Sequence, residues 1–537
     1  MDELGQPRRI SGVIPVRLRV GVTGHRTLPD DSALTEAVDQ VLDRIRESVP
    51  HTPVTLDVVS SLAEGADRLV ARRILRDSKS RLLALLPLAP DDYRNDFAGD
   101  ESKEEFDSLL VRASAQEVIP GSGKREEAYL QAGFQLVERC DLLVTLWDGK
   151  PPRGEGGTAQ IKERAEDRKI TVYWIDTAPP FAIKVTEGEA SRASFEELDH
   201  YNSERLDPKR LADEVRRRGD DLLVEGQSMG LAAEYLRPFF LWILPYFIRA
   251  DALARRYQKR FFVVSDGLFA LGVLAVVSVT VQALFFPERH GLAWIEVSWL
   301  GMLIVLFGAG RLLRLHARWL SQRHLAERLR SAMFLAIASS SMDSAAAPVP
   351  IELGSFEDPV KEWPRRAFEE VWNLRPTDAS TLAMPHLKQF LAQAWMQDQI
   401  DYHKSKGREH EWRHRFVTYS SISLFAAALL AAILHATLKD QPGSDSTMTD
   451  TLVLLAISLP TGAGALAAIG AQRELRRNSV RSRRTASDLA AIKVRLESAS
   501  DDPAFRAAVA AASDMMLGEN RDWIDAMRFH EVELHGG

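Results

Sequence analysis

The sequence predicts an α/β domain followed by an all-α membrane region with four transmembrane helices in two hairpins, and three observations lead to this prediction. Roughly the first 180 residues alternate short apolar strand patterns with helical patterns. The C-terminal half contains four apolar stretches of about 20 residues, the length at which a helix crosses a bilayer. Basic residues cluster at one end of each stretch, as they do beside membrane spans.

The overall composition hides this division. The chain has 537 residues, 45% of them hydrophobic and 27% charged, with a formal net charge of −7. A mean hydropathy of −0.16 does not exclude a membrane protein, because a mean cannot show where the apolar residues lie. The single cysteine, Cys140, excludes an intramolecular disulfide framework and favours a reducing compartment. The mild acidity argues against nucleic acid as a partner.

Strand and helix patterns follow one another in an order that favours a parallel sheet covered by helices on both faces. The first strand, Leu18–Val22, is followed by Ala33–Ser48, where apolar residues recur at helical spacing. Further strands are predicted at Thr55–Ser60, Arg81–Pro87, Cys140–Trp147 and Ile170–Ile175. Further helices are predicted at Ala66–Arg76, Phe106–Ala113, Glu126–Arg139 and Thr158–Arg168. Ligands bind such sheets in the loops that follow the carboxyl ends of the strands.

The four apolar stretches are predicted to span the membrane, with buried core helices as the alternative. They are Phe261–Phe286, Gly291–Gly310, Phe416–Leu438 and Thr451–Ala471. Arginine and lysine gather before the first and third stretches and after the second and fourth, whereas the two short connectors are poor in them. By the positive-inside rule, both termini are cytoplasmic, and we expect a multi-pass protein of the cell inner membrane. The polar segment Met1–Val13 does not resemble a cleavable signal peptide.

The two predicted hairpins resemble each other, because each has a basic helix, a span, a short outer loop, a second span and a basic helix. This order predicts an internal duplication. Asp266 is the one charged residue of the first span. We expect it to face a cavity or a partner, since a carboxylate inside a membrane is costly, or else to reach water or pair with Arg260 at the interface.

The first strand ends in residues that could meet phosphate. Gly24 would let the backbone approach an anion closely, and Thr23 can donate a hydroxyl. His25 and Arg26 could meet phosphate charge. A single glycine turn is more often an ordinary turn, and the residues at two other strand ends strengthen the prediction.

Those two loops carry small residues and lead into helices. Residues 60–67, Ser-Ser-Leu-Ala-Glu-Gly-Ala-Asp, precede a helix whose N-terminus offers N–H groups and a positive dipole end. Asp148 follows the strand that ends at Trp147, and the glycine-rich run 154–158 opens the next helix. Three such loops at strand ends predict one phosphate-rich ligand.

Three segments resemble the SLOG superfamily, over about residues 15–180. They are VGVTGHR at 20–26, SSLAEGAD at 60–67, and CDLLVTLWDG at 140–149 with GGT at 156–158. The resemblance implies an α/β Rossmann-like fold that binds nucleotides or nucleotide-derived signals. Carried onto this chain, it implies that the ligand is surrounded by Thr23, Gly24, His25, Arg26, Ser61, Glu64, Gly65, Asp67, Asp148, Gly156, Gly157 and Thr158.

One departure from the hydrolytic members of that superfamily bears on catalysis. Those LOG enzymes carry paired glutamates soon after the glycine-rich threonine, whereas Ala159, Gln160 and Ile161 follow Thr158 here. The resemblance therefore implies binding without catalytic residues. The alternative is a membrane-anchored NAD or nucleotide hydrolase, a LOG-like N-glycosidase, in which Glu64, Asp67 or Glu126 would supply the carboxylate.

The second hairpin resembles the SLATT domain, the SMODS and SLOG-associating two-helix membrane effector. The resemblance covers about residues 396–500 and rests on Tyr402-His403-Lys404, the two spans and the basic helix that follows. It implies an effector that forms a pore or disrupts the membrane in antiviral defence.

Together these features predict a membrane effector gated by a second messenger, either a cyclic nucleotide or an ADP-ribose derivative. The expected partners are this messenger, the lipid bilayer and further copies of the chain, because four spans are few for a pore. Neither a metal nor a resident cofactor is expected, since the spacings of zinc ligands are missing. A transporter is disfavoured because both hairpins share one orientation and carry few polar residues at mid-membrane.

These interpretations divide the chain into six segments. They are a SLOG-like domain (1–185), a helical coupling region (186–260), the first hairpin with its basic helix (261–338), a linker with cytosolic helices (339–395), the SLATT-like hairpin (396–500) and a C-terminal helical tail (501–537).

Overall fold

The computed structural model describes residues 11–120, 124–150, 157–340, 359–376, 384–439 and 445–528. These residues form two compact units. The α/β unit comprises Val13–Asp207 and, from much later in the chain, the helix Pro359–Trp372. The helical unit comprises the remaining helices from Pro208 onward.

The α/β unit is built on a seven-stranded sheet. Its strands are β1 (Val16–Gly24), β2 (Val54–Ser60), β3 (Leu82–Leu86), β4 (Ala115–Val118), β5 (Leu142–Trp147), β6 (Thr171–Asp176) and β7 (Ile183–Thr186), in the order β4-β3-β2-β1-β5-β6-β7. All neighbouring pairs are parallel except β6 and β7. The predicted α/β domain with a mostly parallel sheet is confirmed.

Helices connect and cover these strands. They are α1 (Ser32–Glu47), α2 (Ala66–Ile74), α3 (Pro90–Arg94), α4 (Gly99–Val111), α5 (Arg125–Arg139), α6 (Thr158–Asp167) and α7 (Glu189–Ser203). The apolar positions of α1, which recur at helical spacing, are buried. The valine and leucine side chains of β1, β2 and β5 other than Val54 are buried as well, as strands covered on both faces require.

The sequence pattern did not predict the edge strands β4 and β7 or the short helix α3. Both strands have four residues, and every residue of β4 is exposed. Without a buried face, such a strand carries no alternation of apolar and polar residues.

The chain connections change direction between β1 and β5. From β1 the chain adds β2, β3 and β4 on one side, and then returns to place β5 and β6 on the other side of β1. The loops that leave β1 and β5 therefore diverge at the carboxyl ends of two adjacent strands. Open α/β sheets bind ligands at this topological switch point. We call the space outside these two strand ends the switch-point crevice.

The helix α8 (Pro359–Trp372) that returns to the α/β unit packs on α7 and on β1. Its buried side chains include Trp363, whose ring lies 5.3 Å from that of Tyr201 on α7. Arg366 bonds to Asp141 at 2.7 and 2.9 Å and to the carbonyl of Arg17 at 2.8 Å. The predicted linker and cytosolic helices at 339–395 thus contribute one helix to the α/β unit and others to the helical unit.

Most helices of the helical unit are long. The helices are α9 (Pro208–Ser228), α10 (Ala233–Phe285), α11 (Ala293–Leu312), α12 (Leu315–Ser339), α13 (Met384–Phe390), α14 (Asp398–Leu438), α15 (Ser446–Gln472), α16 (Leu475–Ser498) and α17 (Asp502–Arg528). A π-helical turn, Leu391–Gln397, joins α13 to α14.

Among the described residues, four helical stretches are long and apolar enough to cross a membrane. They are Ala233–Phe285, His290–Ser339, Met384–Leu438 and Ser446–Ser498. Each contains one of the predicted spans, so the prediction of four membrane-length helices is confirmed. In each hairpin the two spans pack against each other.

The two hairpins also break at equivalent places. Arg314, between α11 and α12, has a φ of +50°, and Glu474, between α15 and α16, has a φ of +46°. The carbonyl of Arg314 accepts a hydrogen bond from the N–H of Arg318 at 3.0 Å, and that of Glu474 from Asn478 at 2.8 Å. Left-handed backbone is uncommon for residues other than glycine. Its recurrence at both breaks supports the predicted duplication.

An ion pair joins the two hairpins. The carboxylate of Asp266 on α10 accepts two hydrogen bonds from Arg473, at 2.6 and 2.9 Å. The Arg473 guanidinium also lies 4.8 Å from the ring centroid of Phe262. The expectation that Asp266 faces a partner is met within the chain, and that partner is Arg473, from the end of the fourth span, not Arg260. This ion pair offsets the free-energy cost of a carboxylate within a membrane-length apolar stretch.

Candidate ligand site

Two of the predicted loops meet directly at the carboxyl end of the sheet. The N–H of His25, just after β1, donates to the carbonyl of Leu146 in β5 at 3.0 Å. The carbonyl of His25 accepts from the N–H of Ala66, the first residue of α2, at 3.0 Å. The first N–H of α2, which the sequence suggested as an anion donor, is therefore already used by the β1 loop.

The glycines of these loops are required by packing. A Cβ on Gly24 would lie 2.5 Å from the Cβ of Ala66 and 2.5 Å from the carbonyl oxygen of Leu146. Gly65 has a φ of +75°, and a Cβ there would lie 2.4 Å from the carbonyl oxygens of His25 and Arg26. The lack of a side chain at Gly24 thus lets α2 and β5 approach the β1 loop. The predicted contact of Gly24 with an anion stays a prediction.

His25 and Asp148 bridge the switch-point crevice. The His25 Nε2 lies 3.2 Å from the backbone nitrogen of Asp148 and 3.1 Å from its Oδ1. A neutral ring can accept from that N–H, whereas a protonated ring can donate to the carboxylate. Hydrogen bonds from Lys150, and then from His25, hold the pKa of Asp148 well below its usual range. The side chains of His25 and Asp148 are 37% and 21% exposed, so a ligand can reach them.

Arg26 is the cation beside this bridge. Its guanidinium lies 5.2 Å from the ring centroid of Tyr129 on α5. Burial lowers the pKa of Arg26, but the hydrogen bond to Tyr129 and the nearby Asp96 raise it more. Arg26 is therefore positive at every physiological pH. Arg26 also lines a cleft of about 540 Å³ between the β1 loop, α2 and α4.

Asp67 lies beneath the loops, where it is 6% exposed. Its carboxylate accepts from the Ser60 hydroxyl at 3.0 Å. Burial raises the pKa of Asp67 to about 6, although Ser60 and the backbone N–H groups of Ala63 and Ser61 oppose the rise. This geometry makes Asp67 a brace for the loop that contains Ser61, in which Leu62 has a φ of +57°.

Glu64 and Arg68 tie α2 to α4. Glu64 accepts from the N–H of Ala98 at 3.1 Å and from the Ser102 hydroxyl. Arg68, 2% exposed, donates to the carbonyl of Ser102 at 2.8 Å and to Glu105 at 3.1 Å. Glu64 therefore reaches the 540 Å³ cleft with part of its hydrogen-bonding capacity already used.

The remaining predicted residues lie within β1 and at the start of α6. Thr23 is 7% exposed and lies opposite Thr145 in the sheet. Gly157 caps α6 without a side-chain hydrogen bond, and Thr158 is the first residue of that helix, which packs on β5 and β6. Gly156 lies outside the described residues.

Sequence reasoning missed Tyr129 and Arg68. Tyr129 flanks Arg26 from α5, and Arg68 lines the cleft from the first turn of α2. Glu64 precedes α2 in a turn, so the four-residue spacing of Glu64 and Arg68 gives no helical signal that both face α4. Nothing in the sequence near Tyr129 indicates Arg26, because the two are distant in the chain.

Among the described residues, no three histidine, cysteine, aspartate or glutamate side chains form a group that could hold a metal ion. The arrangement instead offers a cation, a histidine and a paired carboxylate at the end of two parallel strands. Such a set can hold a polar, phosphate-bearing ligand.

Comparison with protein families identifies one region. The family model described as SMODS and SLOG-associating 2TM effector domain 1 matches residues 392–523. The match begins in the π-helical turn, includes α14, α15 and α16, and extends through most of α17. It therefore reaches into the segment 501–537 that the sequence assigned to a separate tail. The match indicates a membrane effector domain of the kind found in conflict systems. No curated protein matches the chain.

Proposed function

We propose that this protein is a membrane effector that binds a nucleotide-derived second messenger in the switch-point crevice and responds by opening a pore or disrupting the membrane in antiviral defence. The contact of His25 with Asp148, with Arg26 beside it, is the observation that carries the sensing part. The family match and the four membrane-length helices support the effector part. The resemblance of the three strand-end loops to the SLOG superfamily supports a Rossmann-like sensor.

The chemistry of the crevice favours a ligand with phosphate groups. Arg26 can form two parallel hydrogen bonds to one phosphate, and a protonated His25 can donate to another. An ADP-ribose derivative or a cyclic nucleotide carries both phosphates and hydroxyls, and the hydroxyls can bind Asp148. A ligand that bridges His25 and Asp148 would bind across β1 and β5 together.

The helix α8 provides a route by which binding could act on the membrane region. It contacts the amino ends of the same two strands, through Arg17 on β1 and Asp141 just before β5. In the chain, α8 stands between the two hairpins, so it is covalently linked to each. A ligand that stabilises one register of β1 against β5 would bias the position of α8. The ligand can do so only to the extent that its affinity differs between the two positions of α8.

Pore formation by this chain would require several copies, because four spans enclose little space. We therefore expect a homo-oligomer in the inner membrane, with both termini in the cytoplasm, where the α/β unit meets the messenger. The basic residues that flank the four spans, in α10, α12, α14 and α16, support this orientation.

A binding measurement on the full chain in detergent tests the sensing part. Isothermal titration with ADP-ribose and with cyclic dinucleotides should find one binding ligand. Arg26→Ala should weaken it about 10- to 100-fold, because a charge-assisted hydrogen bond contributes about 1.5–3 kcal/mol. Arg46→Ala is the matched control, since Arg46 pairs with Asp43 on α1, away from the crevice. Equal affinity of wild type and Arg26→Ala would refute the site.

The same samples distinguish the hydrolase alternative. Release of nicotinamide from NAD, lost in Glu64→Gln, would show an active site in the 540 Å³ cleft that Glu64 lines. A ligand recovered intact after prolonged incubation would support binding alone.

A further inference from the structure

A groove of about 1240 Å³ opens beside the second hairpin at its basic end. The middle of α14 and the end of α15 form its floor, and α16 and α17 form its walls. It exceeds the roughly 300–1,000 Å³ of sites for small molecules. Ile422 and Phe425 of the floor are 58% and 51% exposed, so the apolar floor continues onto the surface of the spans.

The first hairpin shows what the equivalent surface looks like when it is covered. Leu320, six residues after the break at Arg314, is 6% exposed and packs in a cluster with Met527 of α17. Val480, six residues after the break at Glu474, is 56% exposed and lines the groove. The same helical position is thus covered by α17 after the first hairpin and open after the second.

The two walls of the groove carry opposite charge. The wall from α16 contains Arg477, Arg481 and Arg484, and the wall from α17 contains Asp514, Glu519 and Asp522. Arg477 and Arg484 are 70% and 84% exposed. Arg477 pairs with Glu474, just before α16, and Arg484 pairs with Asp488 of α16. Ion pairs of such exposed side chains stabilise the fold little, so both guanidiniums can turn toward an external phosphate.

We propose that this groove binds one zwitterionic phospholipid with a primary ammonium headgroup, of the phosphatidylethanolamine class. The phosphate lies against the arginines of α16, and the three N–H donors of the ammonium reach the carboxylates of α17. The acyl chains lie on Ile422 and Phe425. A choline headgroup has no N–H to donate, and an anionic headgroup would meet the acidic wall. This site is independent of the proposed nucleotide sensing.

A lipid fits this groove better than a helix from a second copy, because the lining changes along its length from charged to apolar. The charged part lies at the end of the spans, where headgroups are, and the apolar part lies on the spans, where hydrocarbon is. A phospholipid has this same order of charged and apolar parts.

The test reconstitutes the full chain in vesicles of equal parts phosphatidylethanolamine, phosphatidylcholine and phosphatidylglycerol, re-extracts it in mild detergent and measures the co-purified lipids by mass spectrometry. Phosphatidylethanolamine should be enriched at least fivefold over the vesicle ratio. The double variants R481Q/R484Q and D514N/D522N should each lower the enrichment toward one. Arg495→Gln is the matched control, because Arg495 is exposed on α16 outside the groove.

Three results would overturn the proposal. The first is equal enrichment of phosphatidylcholine, and the second is enrichment of phosphatidylglycerol that survives the D514N/D522N change. The third is the absence of any enriched lipid, together with disulfide-linked dimers of Val480→Cys, which would show that a second copy fills the groove. The headgroup preference of the wild type decides the matter even if a variant fails to fold.

Discussion

The two ends of the sheet in the α/β unit are built differently, although the same strands, β1 and β5, run between them. At the carboxyl ends, His25 and Asp148 form a contact that solvent reaches. At the amino ends, Asp141 is 7% exposed and is bound by Arg366 and Arg19 beneath α8. A charge open to water can exchange its partner for a ligand at little cost, whereas a buried charge cannot lose its partner. The carboxyl end is therefore suited to binding and the amino end to holding α8.

Removing the arginine of the amino end should have the largest effect on stability. Arg366→Ala leaves the buried Asp141 with Arg19 alone, and should lower the free energy of unfolding of the α/β unit by about 3 kcal/mol, because a buried carboxylate loses one of its two guanidinium partners. Denaturant unfolding followed by tryptophan fluorescence measures this. Arg365→Ala is the control, since Arg365 is 41% exposed and pairs with Glu369 on the same helix. Equal losses in both variants would contradict a special role for Arg366.

Crowding the carboxyl end should have the next largest effect. Gly24→Ala brings a Cβ within 2.5 Å of Ala66 and of the Leu146 carbonyl, so α2 must move from β1. Overpacking of this kind costs about 2 kcal/mol. Gly219→Ala is the control, because a Cβ there meets its nearest neighbour at an ordinary 3.5 Å. A stable Gly24→Ala variant would show that the loops adapt more freely than the close contacts indicate.

Stability measured against pH should distinguish the two carboxylates at the amino end, Glu370 of α8 and Asp141. Burial raises the pKa of Glu370 to about 7, although it accepts from the N–H of Arg17 at 2.9 Å. Since its ordinary pKa is 4.5, the folded state binds the proton more tightly, and stability should fall by about 1–3 kcal/mol between pH 4.5 and 7. The raised pKa of Asp67, about 6, adds a fall of its own at lower pH, so Glu370→Gln should remove only the part of the slope between about pH 6 and 7 and reduce the rest.

Asp141 should act in the opposite direction at lower pH. Burial alone would raise its pKa, but Arg366 and Arg19 hold it at about 2. Its stabilising contribution is complete above its ordinary pKa of 3.8 and is lost as the pH falls toward 2. A stability curve of Glu370→Gln that falls as steeply between pH 6 and 7 as that of the wild type would assign this slope to another group.

The smallest effect on stability is expected for Arg26→Ala. The residue contributes a cation–π contact with Tyr129, which contributes about 0.5–1 kcal/mol. The loss of ligand affinity should be much larger than this. Arg366→Ala should show the reverse pattern, with reduced stability and nearly unchanged affinity for the ligand. Parallel losses of stability and affinity in both variants would remove the distinction between the two ends of the sheet.

The sequence predicted the central strands, the helices between them and the four spans, because each has a periodic or continuous apolar pattern. It did not predict the edge strands β4 and β7, which are short and partly exposed. It also could not predict that Arg366 meets Asp141 or that Arg473 meets Asp266. Charged residues separated by more than 200 positions leave no local pattern, and their pairing depends on how whole elements pack.

The sequence places His25 and Asp148 at the ends of two strands, and the two residues are in contact in the structure. The topology of a parallel sheet explains this, because it puts the carboxyl ends of the strands on one edge. The structure adds local roles that the sequence did not predict. Gly24 admits neighbouring backbone and Asp67 braces a loop from the interior, both for reasons of packing that a linear pattern does not contain. Whether these residues bind a nucleotide stays a prediction.

Ligand-dependent leakage tests the central proposal most directly. The full chain is reconstituted in vesicles loaded with a self-quenching dye, and the messenger found by titration is added from outside. Release should begin only with the messenger, should need about 10- to 100-fold more of it in Arg26→Ala, and should be weakened in Arg366→Ala at full occupancy. Leakage that is the same with and without the messenger, or that Arg26→Ala leaves unchanged, would contradict the proposal.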